Sequence, residues 1–116
     1  MTKEELVKLL KSVTNEITEG VPNDDDMEAE VRICFWDYIW EDLVASGQQY
    51  NTKVTYQVSV ISEYHRCKEL LQLKKKLNNL KLFLTIQHEY DIQTRRWHSY
   101  FSIDVLEKIE EGENDE

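Results

Sequence analysis

Glycine is scarce in this chain, with three isolated residues among 116. That scatter excludes a glycine-rich phosphate loop, which needs clustered glycines to bring backbone N–H groups to an anion. Cysteine is scarcer. Cys34 and Cys67 have the wrong spacing for a zinc knuckle, and no histidine follows at a useful offset. Cys34 reads as a buried thiol within a strand, and Cys67 opens a helix. A disulfide between them is not expected in a chain without a secretion signal. No apolar run approaches a membrane span, and Met1–Leu10 reads as a charged amphipathic helix, so no membrane partner is expected. Basic charge is in deficit: 14 Lys and Arg stand against 23 Asp and Glu, a net charge of −9. This argues against general affinity for a phosphate backbone without forbidding a local contact.

Catalytic signatures are also missing. The histidines are His65, His88 and His98. His88 and His98 on adjacent strands could share a metal with Glu89 or Asp104. Successive strand side chains face opposite ways, however, so His88 and Glu89 do not point into one site. Hydrogen bonding beside a hairpin is the expected role. Ser99 near His88 lacks an oxyanion hole. Asp37, Glu41 and Asp42 resemble paired catalytic carboxylates, but such a pair needs an enclosing cleft. They read as a solvated or subunit-facing rim. The expectation is a protein that is not an enzyme and has no cofactor and no metal.

What the chain has is a change of rhythm. Thr2 caps a helix, and Glu5 completes a capping box. Leu6, Leu10, Val13 and Ile17 then predict one stripe of about four helical turns, ended by Gly20 and Pro22. Asn23–Asp26 reads as a loop. Alternating apolar stretches follow at Glu30–Asp42 and Lys53–Glu63, then a helical run at Arg66–Leu80, then alternation again at Leu82–Tyr90 and Trp97–Leu106. The order predicts an α+β fold: a leading helix, then a β-β-α-β-β antiparallel or mixed sheet covered by helices on one face. The expected organisation is a single domain, 1–116. Residues 1–28 form a helix plus acidic loop, 29–106 the core, and 107–116 an acidic tail.

Within the first strand, Val31, Ile33, Phe35 and Asp37 share one side; Arg32, Cys34, Trp36 and Tyr38 share the other. Ile39, Trp40 and Leu43 continue the apolar signal out of phase, so a bulge or bend is predicted near Asp37. Ala45–Asn51 reads as a polar loop. Val54, Tyr56, Val58 and Val60 alternate cleanly with Thr55, Gln57 and Ser59. Leu70, Leu73, Leu77 and Leu80 form the stripe of the middle helix, which Asn78-Asn79 ends. Leu82, Leu84 and Ile86 begin a hairpin whose turn carries Arg95 and Arg96 as an exposed basic pair. The 44–53 loop and the 91–96 turn are candidate contact loops. Mutating Arg95 or Arg96 is expected to harm assembly and not folding.

A domain of this size buries roughly two-thirds of its unfolded surface. Its apolar fraction, 41%, is slightly low for a self-sufficient globule. Either some core lies at a subunit interface or a two-layer fold needs less. Charge is also segregated. Residues 1–30 carry nine acids against three lysines, Asp104–Glu116 seven against one, and residues 63–81 six bases against two acids. Copies could pair through such ends, or the charge serves solubility alone. Phe35, Trp36, Tyr38 and Trp40, with Tyr56, Trp97, Tyr100 and Phe101, place aromatics on both faces of one sheet. That is more apolar area than two helices cover, which points to self-association. Nucleic-acid stacking is the rival use, and the neighbouring acids argue against it. The interface candidates are Trp36, Asp37, Tyr38, Trp40, Glu41, Asp42, Tyr56, Arg95, Arg96 and Trp97.

Phe35-Trp36-Asp37-Tyr38-Ile39-Trp40-Glu41-Asp42-Leu43-Val44-Ala45-Ser46-Gly47, followed by Thr52-Lys53-Val54-Thr55-Tyr56-Gln57-Val58-Ser59, resembles the small tail-terminator or tail-completion proteins of long-tailed bacteriophages and prophages. His88-Glu89-Tyr90 and His98-Ser99-Tyr100-Phe101-Ser102 share that resemblance, which spans most of residues 30–106. Some members are called minor capsid proteins. The resemblance implies a virion protein, made in the host cytoplasm, that forms a hexameric ring with copies of itself. The ring would seat on the tail tube protein and meet a head-completion or connector protein. It would pass DNA transiently without sequence-specific binding. The acidic stretch Asp24–Glu30 departs from the family pattern and leaves the partner surface open. A head-side connector or stopper and a small soluble binding module are the alternatives.

Overall fold

The computed structural model describes residues 1–22, 30–43 and 51–109. The Asn23–Asp26 loop, the 44–50 part of the expected contact loop and the tail from Glu110 lie outside them; Asn51 already belongs to a strand. Helix α1 spans Lys3–Lys11. Its capping box forms as expected: Glu5 N donates to Thr2 Oγ1 at 3.2 Å, and Thr2 N donates to Glu5 Oε1 at 2.8 Å. The helix does not run on to Ile17. Ser12 Oγ donates to Leu9 O at 2.6 Å, and Glu16 N donates to Thr14 Oγ1 at 3.1 Å. Short hydroxyl side chains offer the backbone partners that compete with helix continuation. Ile17–Glu19 forms strand β1 instead.

The remaining elements are β2 (Val31–Leu43), β3 (Asn51–Ser62), α2 (Lys68–Asn79), β4 (Gln87–Asp91) and β5 (Arg96–Glu107). The strands form one sheet in the order β1-β2-β3-β5-β4. β1 runs parallel to β2, and the other neighbours are antiparallel. The phase change in β2 is a bulge. Asp37 lies opposite Tyr56 and Ile39 opposite Thr55, so Tyr38 is the extra residue. Asp37 and Trp40 therefore share a face, and Trp40 Nε1 donates to Asp37 Oδ2 at 2.6 Å.

Leu6 and Leu10 of α1 and Leu70, Leu73 and Leu77 of α2 join one core cluster with Ile33, Phe35, Val54, Tyr56, Val58, Val60, Phe101, Ile103 and Val105. Each buried leucine contributes about 1.5–3 kcal/mol. The far end of α2 closes with paired reverse bonds: Leu82 N donates to Leu77 O and Lys81 N to Asn78 O, both at 2.9 Å. Lys81 sits at φ 62, where glycine is the usual occupant.

One expectation about the sheet is corrected. Leu82–Ile86 forms no ladder, and the strand begins only at Gln87. Leu82, Leu84 and Ile86 are half-buried against the core cluster, so the alternation reflects packing beneath the sheet and not pairing within it. The face opposite the core is mixed. It carries Thr55, Gln57, Ser59 and the buried Ile61 of β3, His98, Tyr100, Ser102 and Asp104 of β5, and Cys34 and Trp36 of β2. The exposed aromatics of β2 fall on both faces, Tyr38 toward Ser102 and Trp40 on the side of Val54.

Candidate interaction surface on the second strand

β2 outlasts its outer neighbour. β1 covers only Ile33, Cys34 and Phe35, and among the described residues no strand lies beside Asp37–Leu43. The bulge then distributes the side chains. Trp36 is half-buried, sits opposite Gln57, and helps line a concavity of about 680 Å³ with Pro22, Ser59, His98 and Tyr100. Tyr38 is 51% exposed, and its hydroxyl shares a 2.7 Å hydrogen bond with Ser102 Oγ, reaching across β3 to β5. Trp40, on the helix-bearing face, is 61% exposed. Ile39, Leu43 and Leu106 add exposed apolar surface at the same end.

The three carboxylates of the expected rim are all here. Asp37 accepts from Trp40, Glu41 lies 3.2 Å from Lys53 Nζ, and Asp42 Oδ1 accepts from Thr52 Oγ1 at 2.9 Å. Asp104 Oδ1 accepts from Thr55 Oγ1 at 2.6 Å nearby. Residues 37–43 contain three carboxylates and no lysine or arginine. Trp36, Asp37, Tyr38, Trp40, Glu41 and Asp42 thus form one continuous ribbon.

The other four candidates are elsewhere. Tyr56 is 2% exposed and does not reach the surface. Its hydroxyl donates to Glu107 Oε2 at 2.7 Å, and burial together with that carboxylate pushes the phenol well above its ordinary value. Arg95, Arg96 and Trp97 lie at the opposite end of the sheet. Glu41 pairs with Lys53 and Ser62 with Trp97, a separation along β3 of about 30 Å at roughly 3.3 Å per residue. Asp91 Oδ1 accepts from Gln93 N at 2.9 Å and Thr94 N at 3.4 Å, and these backbone donors hold its carboxyl below the usual range. Arg95 is exposed in that turn at φ 59. Arg96 is not its exposed twin. Its side chain is 12% exposed and lies 3.6 Å from Glu63 Oε1, on the face of β5 opposite the core.

Trp97 is held in an aromatic group that no sequence signal identified. His65 stacks on it with ring centroids 4.2 Å apart, Tyr90 tilts against it at 5.2 Å, and His88 meets His65 edge-on at 5.2 Å. His65 sits between β3 and α2, so only tertiary register brings it there. His88 Nδ1 and Ser99 Oγ are 2.8 Å apart, the hairpin-flanking role expected for this histidine. His98 pairs with Glu89 in the strand register, one step from the His88–Ser99 pair, and so faces the other side of the sheet from His88. Among the described residues no group of three His, Cys, Asp or Glu side chains could hold a metal ion.

No protein-family model matches this chain, and no curated protein matches it. Among solved structures, its fold is similar to the sheath/tube terminator of an extracellular contractile injection system, PVC, in the extended state. The TM-score is 0.50 at 14% sequence identity, over 98% of this chain and 59% of that chain. This chain therefore spans less than two-thirds of its neighbour's length, and the likeness is one of fold.

Proposed function

We propose that this chain is a tail terminator: a non-enzymatic structural subunit that caps a phage-type tail tube at its head-proximal end. The observation that carries the reading is a fold likeness to a sheath/tube terminator extending over 98% of the chain. The β2 ribbon supports it. Tyr38, Ile39, Trp40 and Leu43 are all exposed within one short stretch of a strand, the kind of apolar concentration that marks an interaction site. In this reading, copies of the chain form a closed ring, hexameric by resemblance, that seats on the tube protein and meets a head-completion or connector protein. The protein acts in the virion after assembly in the host cytoplasm. Segregated charge suits heterologous contacts between copies, with the basic α2 of one facing the acidic ends of the next. Net negative charge around a channel would let DNA pass without adhering.

The test is co-assembly with tube protein. Tubes of fixed length, each bearing one ring of this chain at one end, are the expected product. Tubes that grow equally long with and without the chain, and carry none of it, would overturn the reading in favour of a head-side role.

A further inference from the structure

The unpaired stretch of β2 has a defined chemistry. Ile33 N donates to Glu16 O at 2.9 Å, and Gly20 N donates to Phe35 O at 2.8 Å, so alternate β2 residues turn their backbone groups outward, away from β3. Carried through the bulge by the β3 register, the same side is taken by Asp37, Trp40 and Asp42. Their N–H and C=O groups face a side on which no strand lies among the described residues. Natural edge strands are blunted by charged side chains, lysine above all, and by proline, bulges or short length. Residues 37–43 have neither lysine nor proline; their charges are all carboxylates, which deter an acidic or apolar strand but not a basic one, and the bulge at Tyr38 is the one interruption.

We infer that this edge docks an extended, lysine- or arginine-bearing segment of another protein, which adds a strand beside Asp37–Leu43. The inference rests on reading the chain as a contact protein of a tail assembly, and it names the partner chemistry at that surface. Backbone pairing supplies affinity in strand addition, and alternate side chains supply specificity. Asp37, Glu41 and Asp42 favour cations in the incoming strand, while the exposed faces of Tyr38 and Trp40 receive cations or apolar groups. A second copy of this chain is the wrong occupant. Its opposite sheet edge, β4, carries Glu89 and Asp91 and no lysine or arginine, and the open stretch of β5 carries Asp104. Edge-to-edge pairing of copies would set carboxylate against carboxylate. Among the described residues the exposed lysines lie on α1 and α2, in the turn at Lys81 and at Lys108 beyond the end of β5, and none stands within a strand that could extend the ladder.

The experiment titrates the isotope-labelled full chain with two capped synthetic heptapeptides, one alternating lysine with valine and one alternating glutamate with valine. Amide exchange is followed by NMR. The lysine peptide should slow exchange at Trp40 and Asp42 by roughly tenfold, with binding that weakens as salt rises. The glutamate peptide should leave both amides unchanged. Trp40→Pro removes one outward donor without touching the β2–β3 ladder and should abolish the effect, with Val58 and Ile61 exchange reporting an intact core. No protection by the lysine peptide, equal protection by both peptides, or protection that grows with protein concentration alone would overturn the inference. Docking is read on the isolated chain and capping on assembled tubes. Lost docking with capped tubes therefore sinks the edge assignment, and intact docking with uncapped tubes sinks the terminator reading.

Discussion

Replacing Tyr56 with phenylalanine removes one hydroxyl from a buried core residue. That oxygen donates at 2.7 Å to Glu107, the last residue of β5. A hydrogen bond to an ionised group contributes about 1.5–3 kcal/mol. Glu107 is half-buried and recovers water when the phenol is lost, which places the cost near the lower figure, about 1.5 kcal/mol. The pH dependence sharpens the test. Burial first, then Glu107, raises the folded-state pKa of Tyr56 above its ordinary value of 10.0. The unfolded chain gives up this proton near that value while the folded chain retains it. The contribution is therefore complete below about pH 10 and declines above it by up to about 1.4 kcal/mol per pH unit. Urea unfolding of wild type and Tyr56→Phe in parallel cancels the other titrating groups. The stability gap should stay constant from neutrality to about pH 10 and nearly close by about pH 11. A gap that is absent near neutrality, or that persists unchanged in alkali, would refute the assignment.

Lys81→Gly should stabilise the protein. A non-glycine residue at φ 62 costs about 1 kcal/mol, partly offset by the greater freedom of glycine in the unfolded chain, for a net gain of about 0.5 kcal/mol by urea unfolding. Thr2→Ala should cost about 1 kcal/mol by removing the cap of α1. Donation from the Thr2 backbone, then the Thr2 hydroxyl, lowers the Glu5 carboxyl below its ordinary 4.5, so its contribution exists above that value and fades as pH falls. Thermal unfolding of wild type and Glu5→Gln should accordingly differ near neutrality and converge in acid.

Features governed by near neighbours in the chain were legible from residue order. The capping box at Thr2 and Glu5 needs only three-residue spacing. The stripe Leu70, Leu73, Leu77 needs only the helical repeat. A bulge or bend near Asp37 followed from a break in alternation, and the strand register puts the extra residue at Tyr38. The misreadings arose where two local patterns were equally good. Ile17 continued a helical stripe yet pairs opposite Ile33, because Ser12 and Thr14 close the helix first. Leu82, Leu84 and Ile86 alternate as a strand would, yet the turn at Lys81 directs them onto the core.

Residue order by itself determined the capped start of α1, the long strands β2, β3 and β5, the stripe of α2 and an acidic, aromatic segment at Trp36–Asp42. Those are properties of spacing and charge, which the chain carries whatever its fold. Tertiary structure alone decided that Tyr56 and the Arg96 side chain are largely shielded from solvent, that Arg95 and Trp97 stand about 30 Å from the ribbon, and that β2 runs past β1 with no described strand beside its far half. Strand neighbours are chosen by contacts between residues distant in sequence, so no local pattern can specify which edge stays free.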